Sequence, residues 1–262
     1  MKINRIAYMV MRRFYYIPSM MHDIVSAENS KKYTFEERYN KVRNVIKNVN
    51  KFGHVKIRCT GTENIPKENG YILFPNHQGL FDFLLIVETH DNPVSVVMRS
   101  NLENVILLKQ VRKALDGKLI DRDDVRQAIG IINEMKDEVS KGKNFVIFPE
   151  GTRSKDGNNP GPFKGGTFKS AMKAKAPIVP VALIDSFKPF DTPGTSEVCV
   201  QIHYLKPIKY EEYKDMNTTQ VADMVRTRII EKIKKEEKVK CFIVKWNATR
   251  VIKLYRISFF IP

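Results

Sequence analysis

Apolar positions near the start of the chain recur at intervals of three and four. Ile3, Ile6, Val10, Phe14, Ile17, Met21 and Ile24 form one run, and Tyr39, Val42, Ile46 and Val49 form another. That period predicts two helices. Pro18 should kink the first or start it anew, because its ring removes a backbone N–H. Thr34-Phe35-Glu36-Glu37 places a capping box ahead of the second. Residues 1–50 therefore read as a helical pair. Arg5, Arg12, Arg13, Lys41, Arg43 and Lys47 flank its apolar stripe. Such flanks suit a helix at a lipid headgroup boundary, and equally a pair packed on its own domain.

From residue 54 the pattern changes to short runs rich in β-branched and aromatic residues, separated by helical periods. The expected strands are 54–59, 71–75, 94–98, 118–120, 145–148, 178–184 and 198–204. Between them Val125, Ile129, Ile132, Met135 and Val139 predict one amphipathic helix. Val221, Val225, Ile229 and Ile233, opened by an Asn217 cap, predict another. Strands alternating with helices define an α/β domain over residues 51–240. In residues 241–262, Phe242, Ile243, Val244, Trp246, Val251, Ile252, Leu254, Phe259 and Phe260 are interleaved with Lys245, Arg250, Lys253 and Arg256. This tail fits neither period cleanly. Membrane-surface contact, a last edge strand and an adventitious extension are all open for it.

Composition narrows the class. At 262 residues and 42% hydrophobic, the chain suits one globular domain with appendages. Charges such as Arg12, Arg13, Lys245 and Arg250 interrupt every apolar run before it reaches the length of a membrane-spanning helix. The same double arginine splits what would be the apolar core of a signal peptide, which argues against secretion. Cys59, Cys199 and Cys241 have neither disulfide nor metal spacing, so a reducing setting and no metal are expected. A net charge of +16 points to an anionic partner: nucleic acid, an anionic membrane surface or a phosphorylated substrate. The chain lacks zinc-finger spacing, an aromatic RNA-binding signature and a recognition helix, which weighs against a specific nucleic-acid partner.

Two apolar strands end in polar turns of chemical interest. The first is Tyr71-Ile72-Leu73-Phe74-Pro75-Asn76-His77-Gln78-Gly79-Leu80-Phe81-Asp82. Strand ends of this kind carry the working groups of α/β folds. His77 and Asp82 would sit about 140° apart on a regular helix, so they meet only across a bent turn, which Gly79 permits. Met, they form a base and its orienter: the carboxylate holds one ring nitrogen while the other removes a proton from a hydroxyl. A histidine that merely caps a turn is the alternative. The second is Phe145-Val146-Ile147-Phe148-Pro149-Glu150-Gly151-Thr152-Arg153-Ser154. Here Gly151 lets backbone amides approach a ligand, Arg153 offers paired donors to a phosphate, and Lys155, Lys164 and Lys169 follow. A solvated basic loop would look the same. Asp121-Arg122, after a short strand, is either a second phosphate ligand or a structural ion pair.

In this order, the blocks resemble the glycerolipid acyltransferase family, which includes the 1-acyl-sn-glycerol-3-phosphate acyltransferases. Asn76-His77-Gln78-Gly79-Leu80-Phe81-Asp82 is similar to its first block and Phe148-Pro149-Glu150-Gly151-Thr152-Arg153-Ser154 to its third. Val97 to Leu102 with Ile120-Asp121-Arg122 stand for the second, and Pro177 to Leu183 for the fourth. Arg99 stands where many relatives have lysine, and 105–115 replaces a usual glycine-aromatic segment. The resemblance implies an α/β fold with a mixed twisted sheet of about seven strands flanked by helices. It implies that His77, oriented by Asp82, activates the 2-hydroxyl of lysophosphatidic acid to attack an acyl thioester. Glu150, Gly151, Thr152 and Arg153 would form the acceptor site, with Arg122, Arg99 and Lys164 meeting the phosphate. The thioester would be carried by acyl-carrier protein or coenzyme A, with no cofactor. Glycerol 3-phosphate or another lysophospholipid remains an alternative acceptor. Both substrates carry acyl chains, which implies a peripheral or monotopic protein on the cytoplasmic face of the membrane.

Overall fold

The computed structural model describes residues 5–104, 107–121 and 124–258. Ile3, Arg122, Phe259 and Phe260 lie outside them. The helices are α1 (Arg5–Arg12), α2 (Ile17–Ser26), α3 (Phe35–Phe52), α4 (Phe81–Thr89), α5 (Leu108–Ala114), α6 (Val125–Ser140), α7 (Lys169–Ala174), α8 (Lys188–Asp191), α9 (Tyr210–Tyr213) and α10 (Thr218–Ser258). The strands are β1 (Val55–Thr60), β2 (Ile72–Pro75), β3 (Val94–Arg99), β4 (Lys118–Ile120), β5 (Asn144–Val146), β6 (Ile178–Ile184) and β7 (Val198–Tyr204). They form one mixed sheet in the order β1-β7-β6-β2-β5-β3-β4, in which β6 and β7 pair antiparallel and every other pair is parallel.

Period-2 alternation divides the central strands between two cores. Leu73, Val179, Val181 and Leu183 face one cluster with Tyr39, Val42 and Ile46 of α3, Leu85 and Ile86 of α4 and Val111 of α5. Ile72, Phe74, Ile178, Ala182 and Ile184 face the other with Met135 and Val139 of α6, Ala171 of α7 and Val221, Val225, Ile229 and Ile233 of α10. Burial on both faces is why β2 and β6 read as unbroken apolar runs. Phe74 stacks on Phe168 at a centroid distance of 4.2 Å. Truncating so well packed an aromatic to alanine costs about 3–5 kcal/mol.

The N-terminal pair is divided by the fold. Its first run breaks into α1, a 3-10 turn at Phe14–Tyr16, and α2, with Pro18 in the first turn of α2 where its missing N–H is harmless. The Thr34 hydroxyl accepts from Glu37 N, and the Glu37 carboxylate accepts from Thr34 N, so the expected capping box closes. α3 is a core element, with Tyr39 and Val42 fully buried. By contrast Ile6, Val10, Met11, Phe14 and Tyr15 are exposed. α1 is tied down by Arg5, whose guanidinium donates to Gly53 O at 2.7 Å and Ser196 O at 2.8 Å.

Two expectations change. β5 ends at Val146 rather than residue 148. Ile147 N still donates to Leu73 O at 3.0 Å, but Pro149 has no N–H with which to continue the ladder. The tail is not an edge strand, since its backbone prolongs α10 to Ser258. No Gly or Pro occurs between residues 218 and 258, so nothing stops a helix already anchored by its apolar stripe. Among the described residues no helix is long and apolar enough to cross a membrane.

Candidate active site

The parallel strands β2, β5, β3 and β4 point their C-terminal ends to one edge of the sheet, and the two polar turns lie there. Beyond Pro75 the Asn76 side chain continues the pairing of β2 with β6. It donates to Leu183 O at 3.1 Å and accepts from Leu183 N at 2.7 Å, as a further strand residue would. The chain then turns through Gly79, where a Cβ would lie 3.2 Å from the backbone of Phe187. That is closer than most Cβ atoms approach, so any other residue here would have to push its neighbours aside by a few tenths of an ångström.

Asp82, in the first turn of α4, is fully buried. Its Oδ2 accepts from Gln78 N at 2.6 Å and Gly79 N at 3.0 Å, and lies 2.7 Å from His77 Nδ1. A carboxylate only accepts, so Nδ1 carries a proton in this contact and Nε2 is the nitrogen turned away from Asp82. The His77 ring packs on Phe148 at 4.4 Å between centroids, and its side chain keeps 21% exposure. No described residue hydrogen-bonds Nε2. An imidazole with one nitrogen fixed and the other open has the form of a positioned general base.

The Glu150 carboxylate faces inward. Its Oε1 accepts from His77 N at 2.7 Å and its Oε2 from Gly161 N at 2.8 Å, joining the two turns. Burial pushes its carboxyl up, and the two N–H groups pull against that shift. A second cross-link runs from Ser154 N to His77 O at 2.8 Å. Gly151 has φ of +69°, a left-handed conformation that favours glycine.

The structure thus brings His77, Asp82 and Glu150 together, with Gly151 in the same turn. Thr152, Arg153 and Lys164 lie exposed along the 149–164 loop, and Arg99 is exposed at the end of β3. Arg99, Arg153 and Lys164 form no ion pair among the described residues, which leaves three cations at this edge without a carboxylate. Among the described residues no group of His, Cys, Asp or Glu is placed to hold a metal ion.

Further residues of the site escaped the sequence reading. Gln78 donates to Asn158 Oδ1 at 2.9 Å and Gly157 O at 3.2 Å, and accepts from Ser186 N at 2.8 Å. Arg226 of α10 donates to Gly161 O at 2.7 Å and Pro160 O at 2.8 Å, securing the loop that carries Glu150's second donor. Each partner lies far away in sequence, so only the glutamine, inside the first block, carried any signal.

A hydrogen-bonded His–Asp pair at the carboxyl ends of parallel strands has the chemistry to move a proton, which is the mark of an enzyme's site. Residues 56–184 match the family model described as Acyltransferase, and the protein is an acyl-transferring enzyme. Over 184 residues it is 29% identical to the 1-acyl-sn-glycerol-3-phosphate acyltransferase of Borreliella burgdorferi, spanning 68% of this chain and 72% of that one. Over 203 residues it is 27% identical to the Escherichia coli protein of the same name, spanning 73% and 82%. The crystal structure of the 1-acyl-sn-glycerophosphate (LPA) acyltransferase PlsC from Thermotoga maritima has the same fold, with a TM-score of 0.71. That match has 19% identity and covers 88% of this chain and 94% of that one.

Proposed function

We propose that the protein transfers a fatty acyl group from an acyl thioester to the 2-hydroxyl of lysophosphatidic acid, forming phosphatidic acid. The observation that carries the reading is the His77 Nδ1 to Asp82 Oδ2 contact of 2.7 Å, with no described residue bonded to Nε2. The names of the relatives support this acceptor. Nε2 takes the hydroxyl proton as the oxygen attacks the thioester carbonyl, and Asp82 stabilises the imidazolium that forms. The tetrahedral intermediate collapses, the C–S bond breaks, and the leaving thiolate takes the proton from His77. The cycle closes without any change of oxidation state. Arg99, Arg153 and Lys164, with Arg122, supply the donors for the acceptor's phosphate. Acyl-carrier protein or coenzyme A carries the acyl group.

The acceptor lives in a bilayer, so the enzyme works at the cytoplasmic membrane surface as a peripheral or monotopic protein. The exposed Val10, Met11, Phe14 and Tyr15, next to Arg12 and Arg13, support docking by the first helix and turn. Because α3 belongs to the core, the test of docking is substitution rather than removal of residues 1–50. Phe14→Ser with Tyr15→Ser should weaken flotation with phosphatidylglycerol-rich vesicles. Unchanged flotation would remove this part of the reading.

Radiolabelled acyl transfer to lysophosphatidic acid, with each donor offered separately, tests the reaction. The parent should form product, and folded His77→Ala should not. Preference for glycerol 3-phosphate or another lysophospholipid would replace the acceptor, and activity in His77→Ala would replace the mechanism.

A further inference from the structure

We propose that Ser186, after β6, is a positioning residue for the catalytic pair, acting on His77 through Asp82. The proposal rests on the reading of His77 as the base. Ser186 is fully buried, and its Oγ lies 2.6 Å from Asp82 Oδ1 and 2.7 Å from Gln78 Oε1. A hydroxyl has one proton to give. Gln78 Oε1 already receives the Ser186 backbone N–H at 2.8 Å, whereas Asp82 Oδ1 has no other donor among the described residues. The hydroxyl proton therefore goes to the carboxylate, in a charge-assisted bond.

With that bond the Asp82 carboxylate is held at both ends. Oδ2 takes the imidazole N–H and two amides, and Oδ1 takes Ser186. Rotation of the carboxylate plane would break several of these bonds together, so the imidazole it holds cannot swing. The backbone is bent to achieve this. Asp185 has φ of +61°, a left-handed conformation uncommon outside glycine. It is kept there by Asn158 Oδ1, which accepts from Asp185 N at 2.8 Å, and by a 2.9 Å ion pair of its own carboxylate with Lys188. The strained residue aims both the N–H and the hydroxyl of Ser186 at the Gln78 and Asp82 side chains. Strain held in place by neighbours is a mark of sites where geometry matters.

The test measures full-chain Ser186→Ala in the acyl-transfer assay, beside Ser186→Thr and His77→Ala, with folding checked by circular dichroism. The alanine variant should lose kcat by about 10- to 100-fold through misplacement of the base. Its KM for lysophosphatidic acid should stay within about threefold, because the phosphate ligands are untouched. Threonine, which restores the hydroxyl, should recover kcat. The downfield proton resonance of His77 Nδ1–H, identified by its loss in His77→Ala, should shift in Ser186→Ala and return in Ser186→Thr. If the alanine variant does not fold, Ser186→Cys keeps the volume with only a weak donor and is read in the same way. Ser186→Ala with kcat within twofold of the parent and an unmoved resonance, or a raised KM at constant kcat, would overturn the proposal. Activity surviving in His77→Ala would instead overturn the reading of the base.

Discussion

Glu150→Gln isolates a buried carboxylate that acts without touching a cation. The native side chain is 3% exposed and takes His77 N at 2.7 Å and Gly161 N at 2.8 Å, one on each oxygen. Glutamine has one oxygen and one NH2, so whichever way it turns, one backbone N–H faces another donor. Losing a hydrogen bond to a charged acceptor costs about 1.5–3 kcal/mol, and the stranded amide costs about 1–3 kcal/mol more. The retained bond also weakens on becoming neutral. Against this, the variant no longer buries a charge, the same effect that pushes the Glu150 carboxyl up. The balance is a destabilisation of about 2–4 kcal/mol, read as a lower urea midpoint at unchanged slope. As control, Glu197→Gln removes one side of a 3.0 Å ion pair with Lys56 in which both side chains are more than half exposed, and should cost under about 1 kcal/mol. Because the stranded donor is either the His77 amide or its counterpart across the turn, kcat should fall as well. A Glu150→Gln variant as stable as the control would show that the two amides find other partners, and would refute the view that this carboxylate holds the turns together.

Three other outcomes are expected. Arg226→Met removes the donors to Gly161 O and Pro160 O, so kcat for acyl transfer should fall about tenfold while the circular dichroism spectrum is kept. Arg38→Met breaks a two-armed contact with Asp116 at 2.7 and 2.8 Å; because Asp116 is 38% exposed and keeps Lys143, the loss should be about 1–2 kcal/mol at pH 7 in urea. Burial raises the Asp116 carboxyl, but Arg38 and Lys143 outweigh it and the net shift is downward. The stabilisation is therefore present above the ordinary 3.8 and is lost as pH falls through the lower folded value, a dependence that should shrink in the variant, which keeps only Lys143 beside Asp116. His90, fully buried, is pushed down to about 4 by desolvation, with Nδ1 2.7 Å from Asn92 O. The folded state resists protonation, so stability is complete above pH 6.5 and declines by about 3 kcal/mol toward pH 4. Urea midpoints of His90→Leu should show a flatter decline over that window.

What could be read from the chain follows the range of the forces involved. β2 and β6 were legible because burial on two faces leaves continuous apolar runs such as Ile178–Ile184, the edge strand β1 because it alternates, and α6 and α10 because one face packs on the sheet. The Thr34 cap and the His77–Asp82 pair were legible because each closes within five residues. The short helices α7, α8 and α9 were not, since six or four residues carry too little period and are held by their neighbours. Strand order is set by which faces meet across the domain, and nothing local encodes that β2 lies between β6 and β5.

The same division explains why the His77–Asp82 pair was legible and its supports were not. Glu150 reads in sequence as one more polar residue of an anion-binding loop, yet it bonds an amide 73 residues away. Ser186 meets Asp82 across 104 residues, and Arg226 meets Gly161 across 65. A base must lie near its orienter, and a short turn can achieve that. Holding the pair against thermal motion needs bonds from several directions, and those must come from other elements. In this protein they come from the end of β6, the 149–161 loop and α10, three segments whose meeting is itself the product of the folded sheet. Rigid placement of His77 is therefore a property of the whole fold, and substitutions at supports remote in sequence should lower kcat while leaving acceptor affinity nearly intact.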